Sequence, residues 1–305
     1  MKKIALLSLL LAISTFSAQA DESSPSAVSA LNSIIPKLYS SLSSDDMPDW
    51  LRRTELSVNF QEDYKPLWWL ETVQPLHQTP TSLRNTIFFQ GRYAHDTEDD
   101  TMNIGLGYRR LTDDENWLLG VNAFYDQAFE HRHERCSLGG EIIGKFMSLH
   151  TNFYNAISGR RSYSDGVGVT VTEKALDGWD VEGQVQVPHM PWIYASLKGY
   201  EWNGETVADL DGYSCSLLMN ITKNLVIEAG QSNDDRGENN FVMIRFTIGG
   251  PRYIEHTMVD NFIMYDFFTD RDLKKQTLTK VRRTNDIIIE RTRTGSGGLV
   301  IGRGN

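Results

Sequence analysis

Residues 130–136 read EHRHERC, which sets His131 and His133 one position apart among carboxylates and a thiol. Imidazole, carboxylate and thiolate are the donors that zinc accepts. Two histidines so close on a turn have no fixed bite, however, and the stretch reads equally as a polar, basic turn; no metal site is assigned. Ser148 and His150 fall on one face of a candidate strand and Asp126 on another. Serine, histidine and acid make a hydrolase only when each lies within hydrogen-bonding reach of the next. No nucleophile-elbow string surrounds Ser148. Nucleotide loops, cofactor fingerprints and a nucleic-acid footprint are missing from the sequence too, so the chain is read as a non-enzyme with no catalytic residue, no cofactor and no nucleic-acid partner.

Charge is the larger signal. The chain carries 30 basic and 40 acidic residues, but residues 271–305 hold 9 basic against 3 acidic. A segment of net charge +6 therefore follows a body of net charge −16. Either the segment is a solvated tail or it is held inside an acidic interior. The second reading demands an interior that is polar, and the elements that could enclose one are strands.

Twelve segments place apolar side chains on every second position: 56–60, 66–76, 86–94, 102–109, 117–125, 137–144, 147–157, 180–187, 191–202, 213–221, 225–231 and 241–248. In the fifth, Trp117, Leu119, Val121, Ala123 and Tyr125 share one face, with Gly120, Asn122 and Asp126 on the other. Period two is the strand period. A soluble sandwich alternates in the same way, and connection lengths separate the two. Short links at 112–116, 145–146, 189–190 and 222–224 alternate with longer, polar links at 158–178, 203–212 and 232–240. Short turns at one mouth and long loops at the other are the pattern of an outer-membrane barrel. Tryptophans and tyrosines such as Trp68, Trp117, Trp192 and Tyr108 fall near the strand ends, where interfacial girdles lie. The expected fold is all-β, a twelve-stranded antiparallel transmembrane barrel. Its inward residues are Gln90, Arg92, Asn103, Arg109, Asn122, Asp126, Glu141, Asp180, Glu182, Glu228 and Arg245.

Lys2 and Lys3, an apolar run over 4–16 and the small-residue site Ala18-Gln19-Ala20 predict a secretory signal at 1–20. Its apolar run is too short to cross a bilayer as a helix. A periplasmic lead-in at 21–50, with a short helix near 27–42, then precedes the barrel at 51–249 and a linker with surface tail at 250–305. Cys136 and Cys215 fall in strands that are not neighbours, which speaks against a bridge.

The strings LWWLETVQPLHQT, TIFFQGRY, MNIGLGYRRLTDDENWLLGVNAFYDQAFEHRHERCSLGGE and RRTNDIIIERT together resemble the translocator domain of inverse autotransporters, the intimin and invasin family, over about 51–294. The resemblance implies an outer-membrane barrel in a Gram-negative bacterium, reached by Sec-type export and inserted by the barrel-assembly machinery. It also implies a C-terminal linker threaded through the lumen, helical over 272–283 and extended over 285–291, that carries a surface passenger. Lys274, Lys275, Arg282, Arg283, Ile287 and Ile289 would lie in the pore, with Asp180, Glu182 and Glu228 as partners for the cations. After residue 294 only GSGGLVIGRGN follows, which departs from the family pattern and points to a translocator without its own passenger, exporting a protein supplied in trans. A remnant that lost its passenger, or a plugged porin-like channel, is the alternative.

Overall fold

Alternation decides the architecture. The computed structural model describes residues 49–61, 67–95, 99–164, 169–235, 237–249 and 254–294. The signal at 1–20, all but the last two residues of the lead-in, the opening of the linker at 250–253 and the tail at 295–305 lie outside the described residues. One helical turn, α1 (Asp49–Arg52), leads into β1 (Thr54–Gln61). Then follow β2 (Leu67–Gln78), β3 (Asn85–His95), β4 (Asp100–Leu111), β5 (Trp117–Ala128), β6 (Glu134–Gly144) and β7 (Met147–Ala156). The chain continues through β8 (Arg161–Ser164), β9 (Thr170–Ala175), β10 (Asp177–Val187), β11 (Met190–Asn203), β12 (Leu210–Asn220), β13 (Leu225–Asp234), β14 (Gly237–Gly249) and β15 (Ile289–Thr294).

Twelve of these strands close into one antiparallel barrel in the order β1, β14, β13, β12, β11, β10, β7, β6, β5, β4, β3, β2. The seam runs from Glu55 opposite Gly249 to Gln61 opposite Met243. Closure removes every free edge of the barrel wall, as a hydrocarbon environment requires. Burial follows the strand period but with its sense reversed. Leu106 is 54% exposed and Phe153 61%, whereas Arg109 and Asp126 are 0% exposed. A soluble sandwich buries the leucines and wets the charges; a barrel in lipid does the reverse. Small residues make the inner face passable. A Cβ at Gly107 would sit 2.2 Å from the Phe88 ring and one at Gly105 2.3 Å from that of Phe124. Those two rings form an inward apolar cluster with Val73 and Val281.

Three features depart from the sequence reading. The long link at 158–178 holds the hairpin of β8 and β9, which pairs with β15 as a separate three-stranded sheet in the order β15, β9, β8. The link at 232–240 is mostly strand, because β13 and β14 run on past the apolar band. There Gln231 meets Asn240 and Asn233 meets Glu238, and polar residues suit both faces once lipid is left behind. The third departure is helical. In place of a helix over 272–283 there is one 3-10 turn, Lys275–Leu278, after which Thr279 is extended (φ −70°, ψ 155°). The Arg109 guanidinium takes the carbonyls of Thr277 and Thr279 at 3.1 and 2.6 Å, which an α-helix would have spent on its own ladder. A register shift at Pro75–His77 in β2 follows from proline having no N–H to donate. Cys136 and Cys215 are free, exposed thiols.

Candidate functional site

Hairpin turns between β2 and β3, β4 and β5, β6 and β7, β10 and β11, and β12 and β13 gather at one rim, together with the start of β1 and the end of β14. Residues 254–278 travel around that rim. Met258 N–H donates to the Asn220 carbonyl, Met264 N–H to that of His189, and Arg271 N–H to that of Lys145. Leu273 then joins Leu111, Leu118 and Ile143 in a buried cluster. Lys274 pairs with Glu115 of the β4–β5 turn at 2.7 Å and Lys275 with Glu255 at 2.7 Å.

Beyond the 3-10 turn the segment meets the inner face. Lys280 pairs with both Glu55 and Glu71. Val281 N–H donates to Gln90 Oε1 (3.0 Å), whose amide nitrogen in turn donates to Glu71 (2.8 Å). Arg282 reaches Glu182 at 2.6 Å. Arg283 forks onto Asp126 through two bonds of 2.7 and 2.6 Å. That bidentate geometry is the strongest arrangement of guanidinium and carboxylate. Asp126 also accepts from Arg135 (2.9 Å) and Asn103 (2.9 Å). The second guanidinium is balanced in part by backbone, since Arg135 donates to the carbonyls of Thr284 and Asp286. Aromatic faces take up more of the charge: Arg283 lies 4.3 Å from the Phe124 ring centroid and Arg135 4.3 Å from that of Tyr154. Thr284 Oγ1 donates to Asp180, which also accepts from Asn152 and Tyr154.

The opposite end is organised by Glu173 on β9, a residue that no sequence argument singled out. Its carboxylate accepts from Arg291 Nε (2.6 Å) and Tyr163 OH (2.8 Å) and lies 3.0 Å from His131 and 3.3 Å from His133. Burial pushes its pKa up, but the bonds from His133, Tyr163 and Arg291 outweigh that and hold it down at about 2. Burial and the same carboxylate push the Tyr163 phenol up to about 12. His131 stacks on Tyr163 with ring centroids 4.2 Å apart. The EHRHERC turn thus clamps a carboxylate that holds β15, and among the described residues no cluster of metal-ligand type occurs. Ile287 and Ile289 pack with Ala128 and Ala175 beside this clamp.

Of the residues expected to line the interior, Gln90, Asn103, Arg109, Asp126, Asp180 and Glu182 hydrogen-bond the segment directly, and Arg92 lies 3.7 Å from Asp286. Glu141 acts through Arg109, which it holds at 2.6 Å. Asn122 is buried with neither amide atom hydrogen-bonded. Glu228 and Arg245 lie 3.9 Å from each other, so the expected pairing of Glu228 with a segment cation gives way to one across neighbouring strands. Lys274 and Lys275 stand at the rim, because they precede the point where the chain turns inward. Lys280, Arg135, Glu55 and Glu71 went unremarked in the sequence; Glu71 shares its row with the buried Trp69 and Val73, so the apolar alternation of that row hides its inward parity. Ser148 and His150 are joined by no hydrogen bond to each other, and the Asp126 carboxylate is engaged by Arg135, Arg283 and Asn103.

Residues 11–232 match the model of the family described as inverse autotransporter, beta-domain. The chain is 29% identical over 184 residues to a putative attaching and effacing protein homolog of Escherichia coli (strain K12), covering 58% of this chain and 60% of the relative. It is 25% identical over 265 residues to the inverse autotransporter adhesin YeeJ of the same strain, covering 82% of this chain and 11% of the relative. This chain therefore spans less than two thirds of either relative. A solved structure described as "Unveiling the Mechanism Behind the in-meso Crystallization of Membrane Proteins" superposes with a TM-score of 0.63 at 18% identity, covering 78% of this chain and 99% of that one.

Proposed function

Because the chain belongs to the inverse autotransporter beta-domain family, a barrel of the Gram-negative outer membrane, we propose that it is a translocator whose basic C-terminal segment runs through the lumen and closes it. The observation that carries this reading is the order of contacts along the segment. Lys274 meets a short turn, Arg282 meets Glu182 halfway along β10, Arg283 meets Asp126 near the far end of β5, and β15 meets β9 beyond the far ends of the barrel strands. Each step of sequence is a step along the barrel axis. The segment's cations answer the acidic wall, and its freed backbone carbonyls are taken by Arg109, Arg135 and Asn152, which keeps an extended chain satisfied away from water.

The finer part of the proposal concerns cargo: a separately supplied protein that crosses through this barrel to the surface or the medium. Quantitative comparison of proteins in medium and periplasm, with and without the gene, tests it. A protein lost from the medium and gained in the periplasm supports export in trans; no shift while the barrel is expressed refutes it. Closure by the segment is tested separately by single-channel conductance. Replacing Arg282 and Arg283 together by Ala raises conductance if these pairs hold the plug, and unchanged conductance overturns electrostatic closure.

A second reading, a plugged channel with no cargo, draws on one observation. The inward residues Ser214, Ser216, Glu228 and Arg245 on β12–β14 are only partly buried. Conductance that rises on plug loosening, with no protein shifting between medium and periplasm, selects it.

A further inference from the structure

The rim segment carries an apolar surface that the translocation reading does not use. Between Thr257 and Phe268 the sequence is TMVDNFIMYDFF. Ile263 is 69% exposed and Tyr265 98%, and Val259, Phe262 and Phe267 are exposed with them. Contiguous exposed apolar side chains of this size mark an interaction surface.

The surface is built. Phe268 stacks on Phe146 of the β6–β7 turn at 4.6 Å, and Phe267 meets the His189 ring edge-on at 5.4 Å. The Trp192 indole N–H donates to the Phe262 carbonyl at 3.0 Å, with the two rings stacked. These contacts fix the backbone at two hairpin turns and leave Val259, Ile263 and Tyr265 pointing away from the protein. Of the acidic groups near it, Glu255 takes Lys275, Asp270 takes Lys145 and Asp260 accepts the Thr257 hydroxyl, while Asp266 is exposed between Tyr265 and Phe267. No lysine or arginine occurs between residues 254 and 270, so the patch has no attraction for anionic headgroups.

Position identifies the occupant. Phe146 directly precedes Met147, which opens the outward apolar row of β7 continued by Leu149 and Phe153. On β11, Leu197 of the outward row is exposed, whereas Ile193, nearer the rim, is buried next to Trp192. The patch is thus continuous with the lipid-facing belt at its short-turn edge. Aromatic and aliphatic groups at that level partition into the boundary between headgroups and acyl chains.

We propose that residues 257–268 form an interfacial anchor, seated in the headgroup–acyl boundary of zwitterionic phospholipid, that fixes to the membrane plane the point where the chain leaves the wall for the interior.

Nitroxide depth measurements test this on the full chain in vesicles of phosphatidylethanolamine and phosphatidylcholine. In a Cys136→Ser, Cys215→Ser background, labels at Ile263→Cys and Tyr265→Cys are compared with Leu149→Cys in the lipid belt and Lys223→Cys in a turn. The expected result is an oxygen-to-nickel accessibility ratio close to that of the Leu149 site and several-fold above that of Lys223. A ratio equal to that of Lys223 places the patch in water and overturns the proposal. Protection from both reagents, the signature of a protein contact, overturns it too. The unsubstituted chain supplies an independent reading by hydroxyl-radical footprinting. Tyr265 is oxidised less than the partly buried Tyr163 if lipid covers it, and more if water does.

Discussion

Two walls of one barrel, built on the same alternation, carry different loads. The inward row of β3–β7 and β10 is mostly buried, and its charges are fixed: Arg109 on Glu141, Arg135 and Arg283 on Asp126, Arg282 on Glu182. The inward row of β12–β14 is just as polar, yet its groups answer one another. Ser216 donates to Glu228 at 2.7 Å, and Arg245 lies 3.9 Å from the same carboxylate. Polarity of lining is therefore a property of the barrel. Whether a lining residue belongs to the site depends on which wall the segment leans against.

The contrast breaks most visibly at Asp126. Replacing it with Ala strands Arg135 and Arg283, both 0% exposed at the side chain, and uncompensated buried charge costs about 3–5 kcal/mol. The urea midpoint of the folded barrel should fall accordingly. Glu228→Ala on the opposite wall should move it by no more than about 1 kcal/mol, as for a partly solvated pair. Equal losses at the two positions would show that the segment adds nothing to the Asp126 wall.

A smaller effect is expected from crowding. Gly107→Val drives a side chain into the Phe88 ring, over which Arg109 lies at 4.6 Å, and should cost about 1–3 kcal/mol in the same unfolding assay. Gly199→Ala, whose added carbon meets only Val181 at 3.8 Å, should be silent. A tolerant Gly107 would mean that the packed wall has slack.

Smallest and most local is the acid response at Glu173. Its pKa is depressed from 4.5 to about 2, so its contribution is complete above the ordinary carboxylate value and disappears as pH falls through about 2. Protection factors of the β15 amides, taken relative to the intrinsic exchange rate at each pH, should fall across that window, while those around Asp126 stay high. Equal β15 protection factors at pH 3 and pH 7, with His131, His133, Tyr163 and Arg291 all still in place, would remove Glu173 as the holder of β15.

How much of this was legible follows from what each feature depends on. Twelve strands could be read because lipid on one side enforces a period of two, and the inward parity of Asp126, Arg109 and Glu182 followed from the same rule. The sign of the tail gave its attraction to that interior. Pairing could not be read. Glu182 and Glu228 are both inward acids, and nothing in their local sequence says that Arg282 reaches one and not the other. Strands outside the membrane carry no alternation to reveal them, so β8, β9 and the far ends of β13 and β14 read as loop. The helix expected over 272–283 failed because guanidinium groups of the wall compete for its carbonyls, a contest decided by residues more than 160 positions away.

The seam between β1 and β14 has a consequence for assembly. It joins groups such as Ser57 and Thr247, 190 positions apart, and a ladder of such separation is among the slowest contacts a chain can make. Lys280 draws on Glu55 of β1 and Glu71 of β2 together, two carboxylates presented at one place only when the first hairpin is in position. The first hairpin therefore serves twice, as the closing edge of the wall and as the seat of a cation that arrives after all twelve strands have been made. Seating of Lys280 thus needs the first hairpin and not the seam, and a refolding trace that follows it reports the docking of the segment on β1 and β2 separately from the joining of the first strand to the last.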